Sequence, residues 1–82
     1  MNIQEEFLKH MKLYYHHTGD ACSNERWQVF IYSTFGSDYE YAEQYLQNLI
    51  KLGYFDEVIR PIGKCLVITQ IGIDSICKNN LP

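Results

Sequence analysis

Apolar residues recur at spacings of three and four along the first segment, Asn2 to His17, where Ile3, Phe7, Met11, Tyr14 and Tyr15 fall on one side of a helix. Glu5, Glu6, Lys9 and Lys12 fall on the other, so the spacing predicts an amphipathic helix over 2–17. Asn2 with Glu5 three residues on suits a capped start, and Thr18-Gly19-Asp20 supplies a stop. Residues 23–35 fit two periods. Trp27, Phe30, Ile31 and Thr34 make a helical stripe, while Trp27, Val29, Ile31 and Phe35 also fit the alternation of a strand. A cap at Ser23 or Asn24, Glu25 in the first turn and Gly36 as terminator favour the helix.

A third helix is expected over 37–52. Ser37-Asp38-Tyr39-Glu40 has the form of a capping box, in which the Ser37 hydroxyl accepts from the backbone at Glu40 and the Glu40 carboxylate reaches back. Ala42, Tyr45, Leu46, Leu49 and Leu52 make its apolar stripe, and Gly53 ends it. Two runs rich in Val, Ile and Leu, Phe55 to Arg60 and Lys64 to Thr69, flank Pro61-Ile62-Gly63 and read as a hairpin near 54–69. Thr69 caps a last helix, Gln70 to Lys78, which offers Ile71, Ile73 and Ile76 to the core, and Asn79 to Pro82 is expected to fray. With 82 residues and no repeat or linker, the chain has room for one core, and the order is helix, helix, helix, hairpin, helix in one domain, 1–82.

The stretch Tyr45-Leu46-Gln47-Asn48-Leu49-Ile50-Lys51-Leu52-Gly53-Tyr54-Phe55, the hairpin, and then Val67-Ile68-Thr69-Gln70-Ile71-Gly72-Ile73-Asp74-Ser75-Ile76 resemble the second half of a winged-helix domain. The likeness is nearest to small bacterial, archaeal and phage proteins of the PadR or MarR-like kind. In that superfamily a leucine-rich phrase ending in glycine closes the third helix, and a hydrophobic-Thr-x-x-Gly phrase after the wing opens the closing helix. Gly53, Thr69 and Gly72 stand at those places. Each has a physical reason: Gly53 for a sharp exit from the helix, Thr69 for orphan amides, Gly72 for close packing.

The resemblance implies an α+β fold: a single winged-helix domain of three helices, a two-stranded hairpin wing and a short C-terminal helix. It also implies a DNA-binding protein of transcriptional control, with the third helix in the major groove and the wing on the backbone or in the minor groove. A homodimer follows, because one such domain contacts few bases. Its dimer interface is commonly built by terminal helices, where Leu13, off its helix's apolar stripe, Tyr14, Tyr15 and the last helix are at hand. On this reading the amides of Gln44, Gln47 and Asn48 pair with adenine edges, and Tyr39 or Tyr41 packs on sugar or base. Arg26, Lys51, Arg60 and Lys64 hold phosphates.

Charge changes this picture. Seven Lys and Arg against ten Asp and Glu give a net charge of -3, which argues against strong nonspecific nucleic-acid binding. Glu40 and Glu43 share the third helix with the amides and are poor neighbours for phosphate. A competing expectation is an acidic winged-helix interaction module, an adaptor or an inhibitor of a nucleic-acid-binding partner, of phage or mobile-element kind. Asp38, Glu40, Glu43, Asp56 and Glu57 would form its patch, within a face rich in the chain's seven tyrosines.

Other chemistry is sparse. Cys22, Cys65 and Cys77 are too widely spaced for a CxxC pair or a disulfide framework. His16, His17 and Cys22 read as surface histidines beside a core cysteine rather than a metal site, and no cofactor is expected. His16 or His17 with Asp20, and Cys22 with a histidine, lack a third orienting group, so an enzyme is not expected. No apolar run is long enough for a membrane span and the start lacks signal-peptide character, which gives the expectation of a soluble, cytoplasmic chain.

Overall fold

The computed structural model describes residues 2–82. Asn2 caps α1 (Ile3–Tyr14) by accepting from the backbone N–H of Glu5 at 3.1 Å. Ile3, Phe7 and Met11 turn inward as the spacing predicts, joined by Leu8 and His10. The helix ends three residues before His17, because Asp20 Oδ2 accepts the backbone N–H groups of His16 (2.8 Å) and His17 (2.9 Å) and bends the chain into a turn. Those bonds favour the ionised carboxylate and hold the Asp20 pKa below its ordinary value.

The turn delivers a strand that the hydrophobic pattern did not announce, β1 (Ala21–Ser23). Three residues carry too little alternation to read, and β1 exists through its pairing with a later strand. Ser23 then caps α2 (Asn24–Phe35), its hydroxyl accepting from the Arg26 N–H at 3.2 Å, so the helical period holds for this segment. Trp27 and Ile31 are buried and Val29 is exposed, which a strand alternation through Val29 would not give.

The capping box at Ser37 does not form. A turn of 3-10 helix, Gly36–Asp38, links α2 to α3 (Tyr39–Lys51), which keeps Ser37 off the extended backbone that the box requires. Asp38 is the cap residue without a side-chain bond, and Glu40 accepts instead from the Tyr39 hydroxyl at 3.3 Å. Ala42, Leu46 and Leu49 are the buried stripe of α3, with Leu52 half-exposed just beyond the helix.

Gly53, at φ 89°, turns the chain out of α3 into β2 (Phe55–Arg60), which pairs through a Pro61-Ile62 turn with β3 (Gly63–Ile68). The sheet is antiparallel with strand order β1-β3-β2. Thr69 joins three elements: its hydroxyl donates to the Gly53 carbonyl at 2.6 Å and accepts from Gly72 N–H, capping α4 (Gln70–Lys78). Gly72 lies against β3 and the β2 approach so tightly that an added Cβ would stand 2.6 Å from the Tyr54 carbonyl oxygen. Ile73 and Ile76 pack against the core, whereas Ile71 points outward. The C-terminal residues do not fray: Leu81 is buried, and the Pro82 carbonyl accepts from the Tyr45 hydroxyl at 2.7 Å.

The result is an α+β fold of three helices, a three-stranded antiparallel sheet and a C-terminal helix. Its core is aromatic, with Phe7, Tyr15 and Phe55 fully buried around Trp27. Burial removes Tyr15 from any dimer interface.

Candidate nucleic-acid interface

Burial of Ala42, Leu46 and Leu49 fixes which residues α3 presents to water. Tyr41, Gln44, Gln47, Asn48 and Lys51 are exposed along one stripe at helical spacing. The side chains of α3 that are hydrogen-bonded are Tyr39, Glu40, Glu43 and Tyr45. Gln44, Gln47, Asn48 and Lys51 have no side-chain hydrogen bond or ion pair among the described residues, so their donors and acceptors all face solvent.

Acidic groups crowd the start of the same helix. Glu43 accepts from the Tyr32 hydroxyl of α2 at 3.4 Å, Glu40 from Tyr39, and the rings of Tyr32 and Tyr39 lie 5.0 Å apart. The Glu40 charge raises the Tyr39 phenol above its ordinary pKa, and burial followed by Glu43 does the same for Tyr32. Tyr39 is thereby half-buried in this cluster, and Tyr41 is the exposed tyrosine of α3. Tyr45 turns inward toward Pro82 and Phe7, where burial pushes its phenol up to about 12.

The hairpin carries the remaining cations. Arg60 and Lys64 are exposed near its tip, but the Lys64 ammonium is ion-paired with Glu57, diagonally across the β2–β3 ladder. Arg60 has no such partner among the described residues. Arg26 is directed to α1, where it donates to the Tyr14 hydroxyl at 3.1 Å and stacks over that ring at 4.8 Å. The Tyr14 bond raises the guanidinium pKa further. Of the four candidate cations, Lys51 therefore stands at the end of α3, Arg60 and a half-neutralised Lys64 near the hairpin tip, and Arg26 is tied to α1. From Asp38 to Lys64 there are five carboxylates against three cations.

Two features were not singled out in the sequence. The hairpin tip is strongly apolar as well as basic, with Ile59 78 % and Ile62 88 % exposed. Ile62 falls in a segment whose pattern is that of a turn and Ile59 in one whose pattern is that of a strand, so neither stands out as surface in the sequence. Tyr32 was hidden in a helix of uncertain period, yet it bridges α2 to Glu43.

The other candidate chemistry is dispersed. Cys22 is buried while His16 and His17 are exposed, and among the described residues no three of His, Cys, Asp and Glu gather in a metal-holding group. No helix of the described residues is long and apolar enough to cross a membrane. No protein-family model matches the chain, and neither the curated proteins nor the solved structures contain a match to it.

Proposed function

We propose that this chain is a small winged-helix DNA-binding protein of transcriptional control, acting as a homodimer. The order α1-β1-α2-α3-β2-β3, with the sheet in order β1-β3-β2, supports that fold. The observation that carries the function is the unengaged stripe of Gln44, Gln47, Asn48 and Lys51 on the helix that precedes a projecting, cation-bearing hairpin. Amide side chains with unoccupied donors and acceptors pair bidentately with adenine N6 and N7, and the stripe occupies one helix face, as a major-groove reader must.

Binding through the C-terminal half of α3 leaves Glu40 and Glu43 at the margin of the groove, where their tyrosine bonds keep both carboxylates turned along the protein surface. Lys51, Arg60 and Lys64 supply the phosphate contacts, few enough that two protomers on two half-sites are needed for useful affinity. The test is selection of bound duplexes from a random-sequence pool, repeated with Gln44→Ala and Asn48→Ala. Enrichment of a two-half-site sequence by the parent, relaxed at one position per half-site in each variant, supports the reading; a parent that enriches nothing counts against it.

A second reading is favoured by the carboxylate excess and the Tyr32–Tyr39–Glu40–Glu43 cluster: an acidic face that occupies the nucleic-acid-binding surface of a protein partner. It separates from the first by the effect of Glu40→Gln with Glu43→Gln, which strengthens DNA binding in the first case and weakens partner binding in the second.

A further inference from the structure

β2 is an outer strand of the sheet, since the order β1-β3-β2 leaves no strand beyond it among the described residues. Which of its backbone groups face outward follows from β3. Ile68 donates its N–H to the Asp20 carbonyl at 2.9 Å and accepts from the Gly19 N–H at 3.0 Å, so its backbone groups point to the β1 side and those of Val67 point to β2. The alternation continues along the ladder. Asp56, Val58 and Arg60, opposite Val67, Cys65 and Gly63, bond to β3, whereas the N–H and C=O groups of Glu57 and Ile59 point away from it. Among the described residues nothing bonds to those outward groups, Asp56 and Arg60 have no ion-pair partner, and the Ile59 side chain is 78 % exposed.

A free edge of this length pairs with another strand unless its side chains oppose it. Here they suit one partner, a second copy of the same strand. Two copies related by a twofold axis pair antiparallel, and only residues with outward backbone groups exchange bonds, so few registers exist. An axis through Asp56 or Glu57 sets like charges opposite each other, and an axis through Ile59 sets Pro61, which has no N–H, opposite Glu57. With the axis through Val58, Glu57 of each copy exchanges both bonds with Ile59 of the other, and Asp56 of each copy stands opposite Arg60 of the other on one face of the sheet. Ile59 then lies diagonally beside Ile59 of the second copy, which covers apolar surface that a single chain leaves in water.

We infer that the β2 edge is a self-pairing surface, on which two copies of this chain join β2 to β2 antiparallel about Val58 into one continuous sheet, held by reciprocal Asp56–Arg60 ion pairs. The inference supplies the homodimer of the reading above and rests on that part of it, but places the contact at the sheet edge rather than at the terminal helices. A single strand edge buries less surface than a stable dimer needs, so the pairing is weak in free solution and is reinforced when two copies are held on one duplex. The Arg60 guanidinium has more N–H donors than one carboxylate takes up, so the ion pair leaves donors for a phosphate.

The test is sedimentation equilibrium of the full chain at low salt and without DNA, with hydrogen exchange of the Glu57 and Ile59 amides followed by NMR at low and high protein concentration. The expected result is a concentration-dependent dimer in which both amides exchange more slowly as it forms. Asp56→Arg alone, or Arg60→Asp alone, is expected to weaken self-association about tenfold or more, the scale of turning two cross-strand attractions into repulsions. An equimolar mixture of the two variants is expected to dimerise as the parent does, because each then meets opposite charges on the other. Circular dichroism checks that both variants are folded, and Leu13→Ser, on α1, is expected to leave the dimer unchanged. A dimer indifferent to both charge changes, or one lost in Leu13→Ser, overturns the sheet-edge pairing and leaves the homodimer reading standing. Folded variants whose mixture stays monomeric overturn it as well. A chain that is monomeric at every concentration overturns the inference and leaves the edge to a strand of another protein, while duplex binding, measured separately, decides the DNA-binding reading.

Discussion

Lys64 is ion-paired with Glu57 across the hairpin, so one of the three cations of the proposed DNA-binding face is already half-neutralised by its own chain. Both side chains are part-exposed, and such a pair stabilises the fold little while it competes directly with an incoming phosphate. Glu57→Gln is therefore expected to leave the melting temperature nearly unchanged and to tighten DNA binding at about 50 mM salt by roughly threefold to tenfold, about one added phosphate contact. Anisotropy titrations of the two proteins check this, and equal affinity would mean that Lys64 lies off the DNA path.

The Tyr15 hydroxyl is a node in the core. It accepts from Trp27 Nε1 at 2.9 Å and donates to the Leu66 carbonyl at 2.8 Å, tying α1's exit and α2 to β3 with all three side chains buried. Burial raises the Tyr15 phenol well above its ordinary pKa, so it stays neutral and able to donate at any working pH. Tyr15→Phe keeps the ring but leaves the indole N–H without that acceptor. The expected loss is about 2 kcal/mol of unfolding free energy by urea denaturation, with intrinsic tryptophan fluorescence changed in the folded state.

His10 gives the fold a pH dependence. It is 6 % exposed, stacked on Phe30 at 4.2 Å, edge-on to Trp27, and its Nε2 has no hydrogen-bond partner. Burial, aided by the charge of Arg26, lowers its pKa from 6.5 to about 4. The unfolded chain then takes up a proton that the folded chain refuses between those two values. Stability contributed by neutral His10 is whole above about pH 6.5 and is lost as pH falls toward 4, by about 3 kcal/mol at most. His10→Phe retains the stacking, removes the unpaired nitrogen and removes the titration. Urea midpoints from pH 7 to pH 4 are expected to fall less steeply for the variant, and parallel pH profiles would show that His10 is not the titrating group.

Gly72→Ala is expected to be among the most damaging small substitutions. The new methyl would meet the Tyr54 carbonyl oxygen at 2.6 Å and Ile68 Cγ1 at 2.5 Å, so α4 would have to lift from β3 or distort. A loss of about 2–3 kcal/mol is expected, read by thermal melting. A melting temperature that stays put would mean that the approach of α4 relaxes without penalty.

Where local chemistry decided the structure, it was readable. Asn2, Ser23 and Thr69 each cap the helix that their side chains suit, and Gly53 and Gly72 sit where an exit and a close approach demand glycine. What escaped depends on partners distant in sequence. β1 is a strand because Val67, Leu66 and Cys65 pair with it, and the tail is pinned by Tyr45 and the core. The capping box failed for a local reason, since a turn of 3-10 helix, Gly36–Asp38, leads straight into α3 and Ser37 never becomes an extended cap.

The candidate face was legible in part. The exposed stripe Gln44, Gln47, Asn48 and Lys51 follows directly from the buried spacing of Ala42, Leu46 and Leu49. That Arg26 is held by Tyr14, Lys64 by Glu57 and Glu43 by Tyr32 is set by side chains brought together only in the folded chain. The sequence counts charges, whereas the fold decides which are left for a ligand.

The most direct test of the account is the salt dependence of binding to duplex DNA, by fluorescence anisotropy of the purified protein with random-sequence and selected duplexes between about 50 and 200 mM salt. With two to three phosphates held per protomer, affinity is predicted to fall roughly 10–40-fold per protomer over that range, and less steeply in Arg60→Ala. No binding at the lowest salt to either duplex, or binding insensitive to salt and to Arg60, would contradict the claim that α3 and the hairpin form a DNA-binding face.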